Sequence, residues 1–118
     1  MDENVQSFLP LNPAVVHILL ALAGEQRHGY GIMQEIARQS DGSYKPGPAT
    51  LYENLQKLLT WGLVEEATKP RDETDERRRY YRLSGLGRRV LDAEIKRLES
   101  IVHTARASRR KIAPGRAG

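Results

Sequence analysis

The spacing of apolar residues changes character along this chain, from helical steps to alternation and back. Asn12-Pro13 opens the first clear helical stretch. Asn supplies a cap, and Pro in the first turn gives up a backbone donor that has no partner there anyway. The stretch runs to about Ala23 and stops at Gly24, with Val15, Val16, Ile18, Leu19, Leu20 and Leu22 covering nearly all of its circumference. A helix apolar on every side in so small a protein needs cover from two directions, one from its own domain and one expected from a second subunit.

A second helix is predicted from about Tyr30 to Gln39, with Ile32, Met33, Ile36 and Ala37 as its inward stripe. Gly42 and the Lys45-Pro46-Gly47 turn separate it from a third, Pro48 to Trp61, ended by Gly62. In that helix Leu51, Leu55, Leu58 and Leu59 fall at helical spacing on one face. Thr50, Glu53, Asn54 and Lys57 are expected on the opposite face, flanked by Tyr52 and Gln56. Leu63 to Thr68 and Arg78 to Leu83 then read as antiparallel strands around a hydrophilic loop, Lys69 to Glu76. Helix, turn, helix and hairpin in that order describe a winged helix-turn-helix, which sets one helix and one hairpin against duplex DNA.

Ser84 caps a last helix carrying Leu91, Ile95, Leu98, Val102 and Ala105, whose steps of four and three residues match a coiled-coil seam. A seam without a partner in its own chain predicts a homodimer, with Val16 and Leu20 of the first helix adding to the interface. The expected organisation is a flexible leader over 1–12, the winged helix over 13–83, a dimerisation helix over 84–110 and a disordered tail over 111–118. The fold class is mainly α with a small β-hairpin.

Charge modifies this picture only after it is divided. The net charge of +4 includes five basic residues and no acidic ones from Arg106 onward, so residues 1–105 carry 14 basic against 15 acidic groups. The body is nearly neutral, and its relevance to nucleic acid depends on clustering, which the wing offers. Cysteine is absent, which excludes disulfides, thiol catalysis and thiolate metal sites. The longest apolar run, Ala14 to Ala23, is far short of the roughly 20 residues that span a bilayer. The acidic, polar start Met1-Asp2-Glu3-Asn4 is wrong for a secretory signal, so a cytoplasmic protein without membrane contact is expected. His17, His28 and His103 are scattered with no carboxylate at ligand spacing, so no metal and no cofactor is expected. No nucleophile–base constellation or phosphate-binding glycine loop suggests an enzyme.

His28-Gly29-Tyr30-Gly31-Ile32, Pro48-Ala49-Thr50-Leu51-Tyr52, Gly62-Leu63-Val64-Glu65 and Arg78-Arg79-Tyr80-Tyr81-Arg82-Leu83 together resemble the PadR family of bacterial transcriptional regulators, over roughly residues 13 to 105. The single C-terminal helix resembles its compact subgroup. The resemblance implies a homodimeric winged-helix repressor on a near-palindromic operator, dimerised by its C-terminal helices. In some members a small aromatic or drug-like effector releases the DNA. Two departures stand out: Ala49 where the family more often has Gly, and Glu53 where many relatives are neutral or basic.

For DNA contact the residues expected are Tyr30, Lys45, Thr50, Tyr52, Glu53, Asn54 and Lys57, with Lys69, Arg71, Arg77, Arg78 and Arg79 from the wing. Thr50, Tyr52 and Lys57 would bind phosphates and Asn54 a base edge. Glu53 repels phosphate yet can accept from cytosine N4, which favours base reading. Asp72, Glu73, Asp75 and Glu76 could instead pair with the wing cations as a merely solvated loop. Strand alternation places Arg77, Arg79 and Tyr81 on one side and Arg78, Tyr80 and Arg82 on the other, and leaves open which faces DNA. At Tyr30 and Gly31 a phosphate held by helix N–H groups and a plain tight helix start are equally good readings. Trp61 fits packing against the wing or the first helix better than ligand stacking. An effector would lie between the first and last helices, near Val16, Leu20, Leu91, Ile95 and Leu98. The rivals are a related winged-helix sensor of metals or drugs, against which the lack of Cys counts, and a winged-helix protein-interaction module that does not bind specific DNA.

Overall fold

In the computed structural model, residues 2–111 are described. The order is α1 (Asp2–Ser7), α2 (Pro13–Ala23), β1 (Arg27–His28), α3 (Gly29–Gln39), α4 (Pro48–Thr60), β2 (Val64–Ala67), β3 (Tyr80–Leu83) and α5 (Gly85–Lys111). The strands form one antiparallel sheet in the order β1-β3-β2. Helices α2, α3 and α4 pack round a core in which Leu19, Ile32, Ile36, Leu51, Leu58, Leu63 and Val90 are removed from solvent. Burial of this kind contributes roughly 1.5–3 kcal/mol per large aliphatic side chain.

Local chemistry explains the helix limits. Asn12 Oδ1 accepts from Val15 N at 2.9 Å, with Pro13 in the first turn of α2. Helix α4 in turn closes on Gly62, whose φ of 75° lies where a side chain is strained, and Leu63 N returns to Leu58 O at 3.0 Å. Ser84 then joins three elements. Its Oγ donates to Gly62 O at 2.6 Å and accepts from Gly87 N at 2.9 Å, and its own N–H donates to Leu63 O at 3.1 Å. A Cβ at Gly87 would sit 2.0 Å from Leu63 O, so α5 leaves the end of α4 with no slack.

Three expectations need correcting. The leader expected over 1–12 is folded across 2–11: α1 lies on α5, and Val5 and Leu11 belong to the core. Glu94 of α5, almost wholly buried, fastens this segment by accepting from Leu11 N, and Arg97 chelates the same carboxylate through two 2.7 Å bonds. Together, chiefly through Arg97, these hold its pKa below the usual carboxylate range despite burial. Second, α2 finds its cover within its own chain, from α3, α4, α5 and β3, and Val16 and Leu20 are already half-buried against the core. Third, the seam of α5 divides. Leu91 is in the chain's own core and Ile95 is half-buried, whereas Leu98, Ile101 and Val102 are 37%, 50% and 46% exposed and Ala105 is exposed. The tail expected over 111–118 lies, beyond Lys111, outside the described residues.

Candidate nucleic-acid interface

Helix α4 buries Leu51, Leu55 and Leu58, which turns its other faces outward. Thr50, Tyr52, Glu53, Gln56 and Lys57 are all exposed. Asn54 is not: it is 8% exposed and its Nδ2 donates to Thr50 O at 2.9 Å, so it braces the helix and does not face a base. The polar side chain sits at the border of the buried stripe, where the carbonyl one turn back satisfies it. Gln56, expected only at the flank, stands on the outward face in its place.

The start of α3 and the wing meet α4 through Tyr52. Gly29 is buried under that ring, and a Cβ there would lie 2.0 Å from Tyr52 Oη. His28 caps α3 by accepting from Gly31 N on Nδ1 at 3.0 Å. That N–H is therefore not free for a phosphate, and at Gly31 the tight helix start is the reading that holds. Tyr30, one residue earlier, is 57% exposed. His28 also belongs to β1, pairs with Tyr80 of β3, and meets that ring edge-on at 5.2 Å. Burial, and then the Arg78 guanidinium, lower its pKa from 6.5.

A cleft of about 410 Å³ opens between these parts, lined by Tyr30, Tyr52, Arg77, Arg78, Arg79 and Tyr81 among others. All three arginines reach it because regular strand begins only at Tyr80, and the alternation expected from Arg78 onward does not yet apply. From Tyr80 it does: Tyr81 is buried toward Tyr52, Tyr80 turns to His28 and Glu73, and Arg82 pairs with Glu65 on β2 at 3.0 Å.

Glu73 organises the wing. Its carboxylate accepts from Tyr80 Oη, from Asp75 N at 2.8 Å and from Arg78 Nη1 at 3.3 Å. The Tyr80 hydroxyl, more than any other donor, brings its pKa down to about 2. Asp75 holds Arg77 at 3.3 Å, and Lys69 Nζ donates to Glu76 O at 2.8 Å and Asp75 O at 3.4 Å. Lys69 thus closes the loop with two of its three N–H donors, and the carbonyls they meet leave its charge in place. Arg79, Arg71, Lys45 and Lys57 are exposed with no ion pair among the described residues.

Behind this surface, Arg38, Arg27 and Gln39 converge on the buried carboxylate of Glu35, and chiefly the Arg38 bond holds its pKa at about 2. Trp61 faces Phe8, beyond α1, at 6.1 Å between ring centroids, and stays 44% exposed. Among the described residues, no three His, Asp or Glu side chains gather in a way that could hold a metal ion, and no helix is long and apolar enough to cross a membrane.

Sequence reading missed His28, Glu73 and Gln56. His directly before a helix start is an uncommon cap, and Gln56 could have been placed by helical angle. Nothing in the alternating charges of the wing singles out Glu73.

This arrangement recurs in known proteins. An uncharacterized protein of Lysinibacillus sphaericus is 34% identical over 80 residues, which span 67% of this chain and 72% of that protein. A PadR family transcription regulator from Clostridium difficile superposes with a TM-score of 0.69 at 18% identity, over 81% of this chain and 97% of that one. PadR of Bacillus subtilis, solved in complex with operator DNA, matches with a TM-score of 0.62 at 21% identity, over 73% of this chain and 48% of its own. The model of the PadR-like transcriptional regulator family matches residues 18–93, from the middle of α2 into the first turns of α5. Those residues hold α4, the wing and the joint at Ser84, and by them this chain belongs to the PadR-like family of transcriptional regulators.

Proposed function

We propose that the chain is a sequence-specific, homodimeric repressor that binds a near-palindromic operator. The observation that carries this is the outward face of α4. Thr50 and Lys57 flank it on one side, and Tyr52 with the cleft arginines on the other. A helix so placed enters the major groove with hydrogen-bond donors toward both phosphate walls, while Arg79 and Arg71 of the wing grip the neighbouring backbone. The operator complex of the Bacillus subtilis relative supports the same use of this fold.

Two copies pair through Leu98, Ile101 and Val102, continued by Ala105, since a helix face this apolar is otherwise left in water. A two-fold dimer sets the half-sites about 34 Å apart. Occupying the operator excludes polymerase, which gives the negative sign of control. A small aromatic or drug-like effector fits between the paired α5 helices and α2, beside Val16, Leu20, Ile95 and Leu98. A chromosomal target places the protein in the cytoplasm.

The test is binding to the DNA upstream of the protein's own gene against scrambled DNA, titrated across salt. Tight, sequence-dependent binding with a steep salt slope is expected. Weak binding indifferent to sequence at every salt would overturn the reading in favour of a protein-interaction module.

A further inference from the structure

We propose that Glu53 and Gln56 are the base-reading side chains of α4, and that each operator half-site therefore carries a cytosine and an adenine one or two base steps apart. This rests on the operator-binding function proposed above and deepens it.

The geometry eliminates the other candidates on the helix. At about 100° per residue, Ala49, Glu53, Gln56 and Thr60 fall within about 60° of arc, opposite Leu51, Leu55 and Leu58. Thr50 and Lys57 lie to one side of that arc, and Tyr52, seated against Gly29, to the other. Asn54 is turned inward and spent on Thr50 O. When the apolar stripe faces the core, the opposite arc points at the floor of the groove and the flanks at its walls.

Within that arc Ala49 carries no hydrogen-bonding group and Thr60 is the last residue of the helix, away from its N-terminal half. Glu53 and Gln56 remain, both exposed. Glu53 has no ion-pair partner among the described residues, and Lys57, one turn on, does not neutralise it. An unneutralised carboxylate lowered into a groove walled by phosphates is repelled unless a base donates to it. In the major groove the donor that suits a carboxylate is cytosine N4. Gln56 presents an amide that bonds adenine N6 and N7 together. Three residues of helix advance about 4.5 Å, against about 3.4 Å per base along a strand, so the two side chains address bases one or two steps apart.

The experiment is selection of binding sites from randomised duplex DNA with the wild-type protein, Glu53→Gln, Gln56→Ala and Asn54→Ala. Wild type should enrich a palindrome with a cytosine column and an adenine column in each half-site. Glu53→Gln should lower the cytosine preference about tenfold, and Gln56→Ala the adenine preference by a similar factor. Neither should reduce the salt slope, because neither side chain neutralises a phosphate. Asn54→Ala should keep both columns. Columns unchanged in the Glu53 and Gln56 variants, or a wild-type site without a cytosine and adenine one or two steps apart, would overturn the assignment and leave operator binding standing. A wild-type protein that enriches no sequence at all would overturn operator binding, and this assignment with it.

Discussion

Helix α4 and the wing both carry exposed cations, Lys57 on the one and Arg71 and Arg79 on the other, and they are held in place by different forces. Leu51, Leu55 and Leu58 seat α4 in the core, whereas no residue between Thr68 and Arg79 belongs to that core. The wing owes its shape to Glu73, Asp75 and Lys69, which clasp Tyr80, Arg78, Arg77 and two loop carbonyls. Apolar burial is non-directional and indifferent to ionisation. Charge-assisted bonds at the surface are directional, screened by salt and lost on protonation. The helix is thus fixed as part of the core, and the wing is expected to open locally at a fraction of the global unfolding cost.

The largest effect should come from breaking the helix's seat. Leu55→Ala removes a fully buried side chain and should destabilise the protein by about 2–5 kcal/mol, measured by urea unfolding. Retention of wild-type stability would show that α4 is not held by its apolar stripe. Next are the cations. Lys57→Ala on the helix and Arg79→Ala on the wing should each weaken binding to every DNA sequence and reduce the salt slope by about one. A slope unchanged in either variant removes that side chain from the phosphate contacts.

Glu73→Ala sharpens the comparison further. Amide exchange should quicken across residues 69–79 while α4 keeps its protection, and equal loosening of both would show the two regions to be one cooperative unit. The smallest effect concerns the cap between them. Because folding lowers the His28 pKa below 6.5, its stabilising contribution is complete above that pH and is lost as acid protonates the ring and removes the acceptor. Arg78, Glu73 and Asp75 set the field around it, and the Glu35 and Glu73 carboxylates, with pKa values of about 2, lose their contributions only between about 4.5 and 2. Thermal melts at about pH 7.5 and about pH 5.5 should therefore converge in His28→Asn, where Asn still caps. A wild-type melting temperature identical at both values would remove His28 from the pH response.

The sequence disclosed those features whose cause is local. Asn12-Pro13, Pro48, Gly62 and Ser84 mark helix ends through their own capping or backbone chemistry, and the observed helices begin or end beside them. Outward-facing Lys57, Thr50 and Tyr52 follow from period alone. What stayed hidden depends on contacts distant in sequence. The two residues of β1 carry no periodicity and exist because Tyr80 and Tyr81 lie beside them. The fold of α1 depends on α5, and its fastening on Glu94, whose partner Leu11 is more than eighty residues away. Asn54 has the polarity of a groove-facing residue and the angle of a bracing one, and composition cannot separate the two. In the wing, four acids and five bases admit many pairings, and only the path of the loop selects Glu73 for Arg78 and Asp75 for Arg77.

Trp61 gives this molecule a built-in optical probe. It is the chain's one tryptophan, it caps the C-terminal end of α4, and Phe8 faces it at 6.1 Å between ring centroids while nearly half its surface meets water. Its emission therefore reports two events without a label. Lifting the N-terminal segment exposes the indole and shifts the emission to the red, and seating α4 in a groove changes its intensity with Phe8 still in place. A stopped-flow trace that separates these signals would show whether the N-terminal segment moves when DNA arrives, in the unmodified protein.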